Sequence, residues 1–150
     1  MTEQKPRRSD EEVVAIFHNA KRRPNCSEAL TMRVEAVCQQ EQRVEFSFVG
    51  QDQWSNPMGG IQGGFLSAML DEAMTTTGVV GANFQSVLPT LEFKVTFLRP
   101  APPGHFTASG RWIRMGKSVA FLEAELFDSS GALVARSSAT ASPRPIPGRS

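Results

Sequence analysis

The chain has 150 residues, 40% hydrophobic and 21% charged, which excludes a disordered chain and allows one domain with a real core. The formal net charge of +1 gives no basic footprint for nucleic acid, and no apolar run is long enough to span a bilayer. The N-terminal MTEQKPRRSDEE has no apolar stretch behind its basic residues and does not read as a secretory signal. Cys26 and Cys38 match no metal spacing or disulfide framework and read as free thiols in a reducing, cytoplasmic setting.

Residues 1–9 are polar and read as a flexible tail, as does the Pro-rich 143–150. Asp10 is placed to cap a helix through EEVVAIFHNAKR, with Val13, Val14, Ile16 and Phe17 as its apolar stripe; Pro24 and Asn25 end it. Leu30–Cys38 and Arg43–Val49 read as strands joined by a turn at 39–42. In the second, Val44, Phe46 and Phe48 alternate with Glu45 and Ser47. A Pro/Gly loop, Gly50 to Ile61, precedes Gly63-Gly64, where a helix begins. Phe65, Leu66, Ala68, Met69, Leu70, Ala73 and Met74 make it apolar over most of its circumference. Such a helix is normally buried. Its exit lies at Gly78 or Gly81, followed by an irregular connection to Pro89.

From Thr90 the pattern is again that of a strand: Leu91, Phe93, Val95 and Phe97 alternate with Glu92, Lys94 and Thr96. Further strands are expected over Phe106–Met115, Ser118–Phe127 and Ala132–Ala141, with turns at 100–104, 114–117 and 128–131. The order predicts an α+β fold, a single domain over 1–150 in which a curved antiparallel sheet wraps one long apolar helix.

That helix carries Ser67, Asp71 and Thr75 at i, i+4 and i+8, on one face. A carboxylate on a buried helix is costly unless it is paired or used. Glu72 lies about 100° further round, without those companions. His18 and His105 sit in no motif and tyrosine is absent, so histidine- or tyrosine-based catalysis is not expected. Trp54, Met58 and Phe84 read as core residues in preference to an acyl tunnel.

Asn56, Gln62-Gly63-Gly64 and Asp71 resemble a motif of the hot-dog fold acyl-CoA thioesterases, in the phenylacetate-pathway (PaaI-type) branch. There an Asn precedes a His-Gly-Gly by six positions, and an acid follows that His by nine. Here 62 − 56 = 6 and 71 − 62 = 9. TLEFKVTFLRPA at Thr90–Ala101 resembles the strand that follows the family's helix, whose first residue is a Ser or Thr near the acid. RMGKSVAFLEAEL resembles its next hairpin. The likeness covers residues 25–142. Gln62 stands where the family has His, which removes a possible imidazole contact to the substrate carbonyl.

The resemblance implies thioester hydrolysis. Gly63 and Gly64 offer N–H groups at a positive helix N-terminus, with no Cβ to block a carbonyl. Gly63 takes the oxyanion role, one such donor being worth ~3–4 kcal/mol, and Gly64 adjoins the substrate. Asp71 is the base on water or a nucleophile; both stay open. Asn56 is suited to orient the water, Thr75 and Thr90 to hold the carboxylate or the water, and Gln62 lies beside the donor. Gly63 and Asp71 are eight residues apart on one helix, about 12 Å at ~1.5 Å per residue. One chain therefore cannot easily present both to one carbon, and two chains related by a twofold can. A homodimer is expected, and the resemblance extends this to a homotetramer. Lys117, Arg114 and Arg99 are the cations chosen for the CoA phosphates, with Arg111 behind them; as exposed charges each also reads as a plain solvated residue. Coenzyme A is part of the acyl-CoA substrate, so no separate cofactor, metal, nucleic acid or membrane is called for. The alternatives are an enoyl-CoA hydratase-like enzyme on the same fold, which would want a histidine, and a non-catalytic acyl-CoA sensor.

Overall fold

The structure, a computed structural model, describes residues 6–146. Helix α1 spans Asp10–His18, with Ser9 as its N-cap. The Ser9 hydroxyl accepts from the Glu12 N–H and the Glu12 carboxylate accepts from the Ser9 N–H, so two unpaired helix-end donors are met reciprocally. This corrects the expectation that Asp10 is the cap. Asp10 instead accepts from the backbone and side chain of Gln39, pinning α1 to the first hairpin.

The helix is also shorter than its sequence pattern. Asn19 closes it by donating to the Ala15 carbonyl, and Asn25 opens a second short helix, α2, over Asn25–Ala29. Strand β1 consequently starts at Arg33 and runs to Cys38. A 3-10 turn at Gln39–Glu41, closed by Gln42 in a left-handed conformation (φ 57°), leads into β2, Arg43–Gly50.

Helix α3 covers Gly63–Gly81. After it come β3 (Ser86–Val87), β4 (Thr90–Phe97), β5 (Gly104–Met115), β6 (Ala120–Phe127), β7 (Leu133–Ala141) and β8 (Arg144–Pro145). The main sheet is antiparallel in the order β1-β2-β5-β6-β7-β4. Strand β4 thus crosses to the far edge and, among the described residues, pairs with β7 alone.

The inner face of the sheet packs on α3, which touches β2, β4, β5, β6 and β7. Leu66, Met69, Leu70, Ala73, Met74 and Val80 of α3 are buried against Val44, Phe46, Phe106, Ala108, Leu122, Leu126 and Val134 of the strands. The approach is close at Gly110, where a Cβ would lie 2.2 Å from Thr77 Oγ1 and 3.0 Å from the Ala73 carbonyl oxygen. This is the hot-dog arrangement of a long apolar helix inside an antiparallel sheet.

The tails need correction where they are described. Arg7 donates to the Gly81 carbonyl at 3.0 Å, and the Arg8 guanidinium lies 5.4 Å from the Phe84 ring centroid. At the other end β8 pairs with β3, and the Ile146 N–H reaches the Gln85 carbonyl. Arg7, Arg8 and residues 144–146 therefore contact the body of the fold; 1–5 and 147–150 lie outside the described residues. Pro145 is tolerated because this ladder has two strands and no interior.

Candidate active site

The loop ahead of α3 is built around Asn56. Its Oδ1 accepts from the N–H groups of Met58 at 2.9 Å and Gly60 at 3.3 Å. Its backbone N–H donates to the Gly60 carbonyl, and its carbonyl accepts from Gly59. The asparagine thereby folds the five-residue turn on itself, a local bonding habit of Asn in turns. Its Nδ2 has no partner among the described residues and stays available as a donor. The loop is clamped to the scaffold by Ile61 N–H to the Ala101 carbonyl at 2.7 Å and Gln62 N–H to the Trp54 carbonyl at 2.9 Å. Trp54 in turn stacks on Phe65, centroids 4.8 Å apart and planes 4° from parallel. Met58, expected in the core, is at the loop tip and 94% exposed, whereas Phe84 is buried against Phe17.

The first turn of α3 has four N–H groups with no partner inside the helix. Gln62 meets three of them. Its carbonyl accepts from Phe65 at 3.0 Å and Leu66 at 3.4 Å, and its side-chain Oε1 accepts from Gly64 at 2.7 Å. Only the Gly63 N–H is left without an acceptor among the described residues. The Phe97 ring lies against Gly63, its Cζ 3.0 Å from where a Cβ would be.

Asp71 sits two turns along, half-buried. The Thr90 hydroxyl donates to its Oδ1 at 2.7 Å. This contact depends on an irregularity in β4. The register with β7 shifts between Thr90 and Glu92, so Thr90 pairs with Ala141 and Glu92 with Thr140. Ala141 is buried on the inner face and Thr140 belongs to the outer one. With strict alternation Thr90 and Glu92 would share a face; the bulge at Leu91 turns Thr90 inward to the helix.

The other polar groups of this face are turned to the backbone. The Thr75 hydroxyl donates to the Asp71 carbonyl at 2.9 Å, and Ser67 donates to the Gly63 carbonyl at 2.7 Å. Thr75 thus holds the turn that carries Asp71 and does not hold its carboxylate. Glu72 points elsewhere: its carboxylate accepts from the buried Ser27 hydroxyl and faces Cys26 Sγ at 3.7 Å. It lines a cavity of about 280 Å³ walled by Phe17, Met32, Val34 and Thr76, with Arg22 at its side. The two adjacent acids therefore serve different faces of α3, as the 100° step between neighbours requires.

The cations divide between the two ends of the sheet. Lys117 and Arg114 belong to the β5–β6 hairpin. That hairpin lies in the register row Met115–Ala120–Ala141–Thr90, three strands across from Asp71's partner. Arg99 follows β4 at the opposite end, its N–H on the Val134 carbonyl, close to the Gly63 side marked by Phe97. Arg111 pairs with Glu123 across β5 and β6. Strand β4 is an open edge, and Leu91 (61%), Phe97 (51%), Leu98 and Phe93 along it are exposed. Their alternation reads in the sequence as an ordinary core face; it lies beside Asp71 and Gly63 and is left exposed by the described residues.

The sequence profile of the thioesterase superfamily matches residues 58–135, more than half of the chain. The chain belongs to the thioesterase superfamily. Its activity is accordingly of the thioester-hydrolase class. Among solved structures it is similar to a phenylacetic acid degradation-related protein of Ralstonia eutropha JMP134: 30% identity, TM-score 0.78, covering 86% of this chain and 98% of that one. A thioesterase of Haemophilus influenzae shares the fold at 18% identity and TM-score 0.75, over 95% of each chain. So does PaaI of the Escherichia coli phenylacetic acid degradation operon, at 18% and 0.72, over 89% of this chain and 91% of that one. A search of curated proteins finds no match. The PaaI-type likeness expected from the Asn56–Asp71 spacing holds for this superfamily member, and so does its fold. No helix among the described residues is long and apolar enough to cross a membrane.

The sequence reading missed Phe97 as part of the site and missed what Gln62 does there. Phe97 carried a usable signal, since it ends the strand that begins at Thr90. Gln62 carried none beyond its position before Gly63.

Proposed function

We propose that this thioesterase hydrolyses acyl-CoA, with each active site shared between two copies of the chain. One copy supplies the Gly63 N–H as oxyanion donor, with Asn56 and Gln62 beside it. The other supplies Asp71, held by Thr90, as the base on water or the nucleophile. The observation that carries the reading is the first-turn donor of α3 left open among the described residues, combined with a hydrogen-bonded carboxylate on the same helix. A carbonyl carbon must lie within about 3 Å of the groups that act on it. Eight helical residues separate Gly63 from Asp71 by about 12 Å, so a second chain has to bring them together.

The edge of β4 supports this assembly. An open, apolar strand edge invites pairing with another chain. Leu91, Phe93, Phe97 and Leu98 lie there, next to both halves of the site. A twofold through this edge would also bring Arg99 of one copy towards Arg114 and Lys117 of the other, the cations assigned to the CoA phosphates. Further pairing into a homotetramer and a cytoplasmic setting complete the proposal.

The hydratase alternative wants a histidine near the acid. His18 bonds the Val34 carbonyl and His105 pairs with Val49 in the β2–β5 ladder; neither touches Asp71. The sensor alternative has no use for a carboxylate positioned by Thr90. The test is CoA release from a panel of acyl-CoAs by wild type and Asp71→Asn. A loss of about a hundredfold or more is expected for a removed base. Undiminished turnover in the variant would remove Asp71 from the chemistry, and tight acyl-CoA binding without turnover in wild type would favour the sensor.

A further inference from the structure

We propose that Gln62 is a catalytic residue that supplies the second oxyanion donor through its side-chain Nε2, on the reading that the Gly63 end of α3 receives a thioester carbonyl. The argument begins with which end of the carboxamide faces the helix. The Gly64 N–H is a donor and can be met only by an acceptor, so the atom 2.7 Å from it is Oε1. The orientation of this amide is therefore set by its partner. Nε2, on the other branch, has no acceptor among the described residues, and Gln62 is exposed.

The same bond decides which backbone donor remains. With Phe65, Leu66 and Gly64 all bonded to Gln62, the Gly63 N–H is the one first-turn group left without an acceptor among the described residues. First-turn N–H groups point out of the helix N-terminus, and the capping side chain sits over that same end. Nε2 lies 3.6 Å from where a Gly64 Cβ would be, at the end of the helix that a carbonyl oxygen taking the Gly63 N–H would approach, and there it would act as the second, neutral donor. Gln62 both closes the competing donor and replaces it. A carboxamide does not titrate, so this donor is present across the working pH range, unlike an imidazole in the same position.

Gln62→Glu separates the two roles. The carboxylate still accepts from Gly64, and a negative charge at a helix N-terminus is favourable, so Tm should hold at or above wild type. The donor is gone, and loss of one such donor costs about 10²-fold or more in kcat. The neutral, donor-free Gln62→Met should lose kcat similarly while KM changes much less. Gln62→His, which can accept with one nitrogen and donate with the other, should recover at least tenfold over Gln62→Met. A kcat within about threefold of wild type in Gln62→Met would leave Gln62 as a helix cap only and overturn the inference. Should wild type release no CoA from any acyl-CoA, the thioesterase reading fails separately. A ketone analogue, with methylene in place of the thioester sulfur, then reads the donors by calorimetry. Weaker binding to Gln62→Met would support the Nε2 contact; equal binding, or no binding to either protein, would overturn it.

Discussion

The hydroxyl of Thr90, the first residue of the edge strand, donates to Asp71 Oδ1 at 2.7 Å across a sequence separation of 19. It does so only because the chain bulges at Leu91 and turns Thr90 to the inner face. A hydrogen bond to a carboxylate is worth about 1.5–3 kcal/mol. Thr90→Val should therefore lower kcat/KM by about 10- to 100-fold, with Thr90→Ser close to wild type. Steady-state CoA release measures both. Equal rates for Val and Thr would show that the hydroxyl does not orient the acid.

Glu72 is the control for Asp71. Its carboxylate meets Ser27 on a different face of α3. Glu72→Gln should leave kcat within about threefold, because hydrogen-bond capacity is kept and no reacting group is touched. If Glu72→Gln abolished turnover and Asp71→Asn did not, the assignment of the acid would have to be exchanged.

The proposal that two chains share each site predicts complementation. Gly63→Pro removes the N–H at the first helical position, where the backbone suits Pro, and its Cβ requires the Phe97 ring to give by a few tenths of an ångström. Gln62 already has ψ 137°, which suits a residue before Pro. Mixing and reassembling inactive Gly63→Pro with inactive Asp71→Asn should restore roughly a quarter of wild-type activity, since hybrid dimers carry one intact site. A mixture as inactive as its components would place both groups of each site on one chain.

Gly110 tests the helix–sheet spacing. A Cβ there would fall 2.2 Å from Thr77 Oγ1 and 3.0 Å from the Ala73 carbonyl. Gly110→Ala should destabilise by ~1–3 kcal/mol, typical of overpacking, seen as a lower urea midpoint. An unchanged midpoint would mean that α3 shifts away from β5 at little cost.

Asp128 supplies a pH dependence. The Ser130 hydroxyl, opposed by a smaller desolvation effect and helped by the Ala132 and Ser130 N–H groups, holds its carboxyl below the usual carboxylate range. A folded pKa below the unfolded one means stability that is present above the unfolded value and lost as pH falls through the folded one. Wild type should be more stable than Asp128→Asn near neutrality, and the gap should close in acid, as urea titrations at several pH values would record. A gap independent of pH would argue against the charge.

Much of this molecule is readable locally. The period-two strands Arg43–Val49 and Thr90–Phe97 and the all-round apolar α3 need only nearest neighbours along the chain, because side-chain periodicity is a property of the single element; the Asn56/Gly63/Asp71 spacing is legible only through its resemblance to the family's motif. The proposal of a shared site also begins there, since the rise of a helix fixes how far apart two of its residues can be. What the tertiary structure alone decided is which partner each group meets. Asp10 lost the cap to Ser9 because Gln39, folded back from the hairpin, competes for its carboxylate. Thr75 shares a helical face with Asp71, yet its hydroxyl prefers the carbonyl one turn back. Thr90 reached Asp71 through a bulge that exists only when β4 is laid against β7. Contacts of this kind are set by competition among distant donors and acceptors in the packed state, and no period in the sequence encodes their outcome.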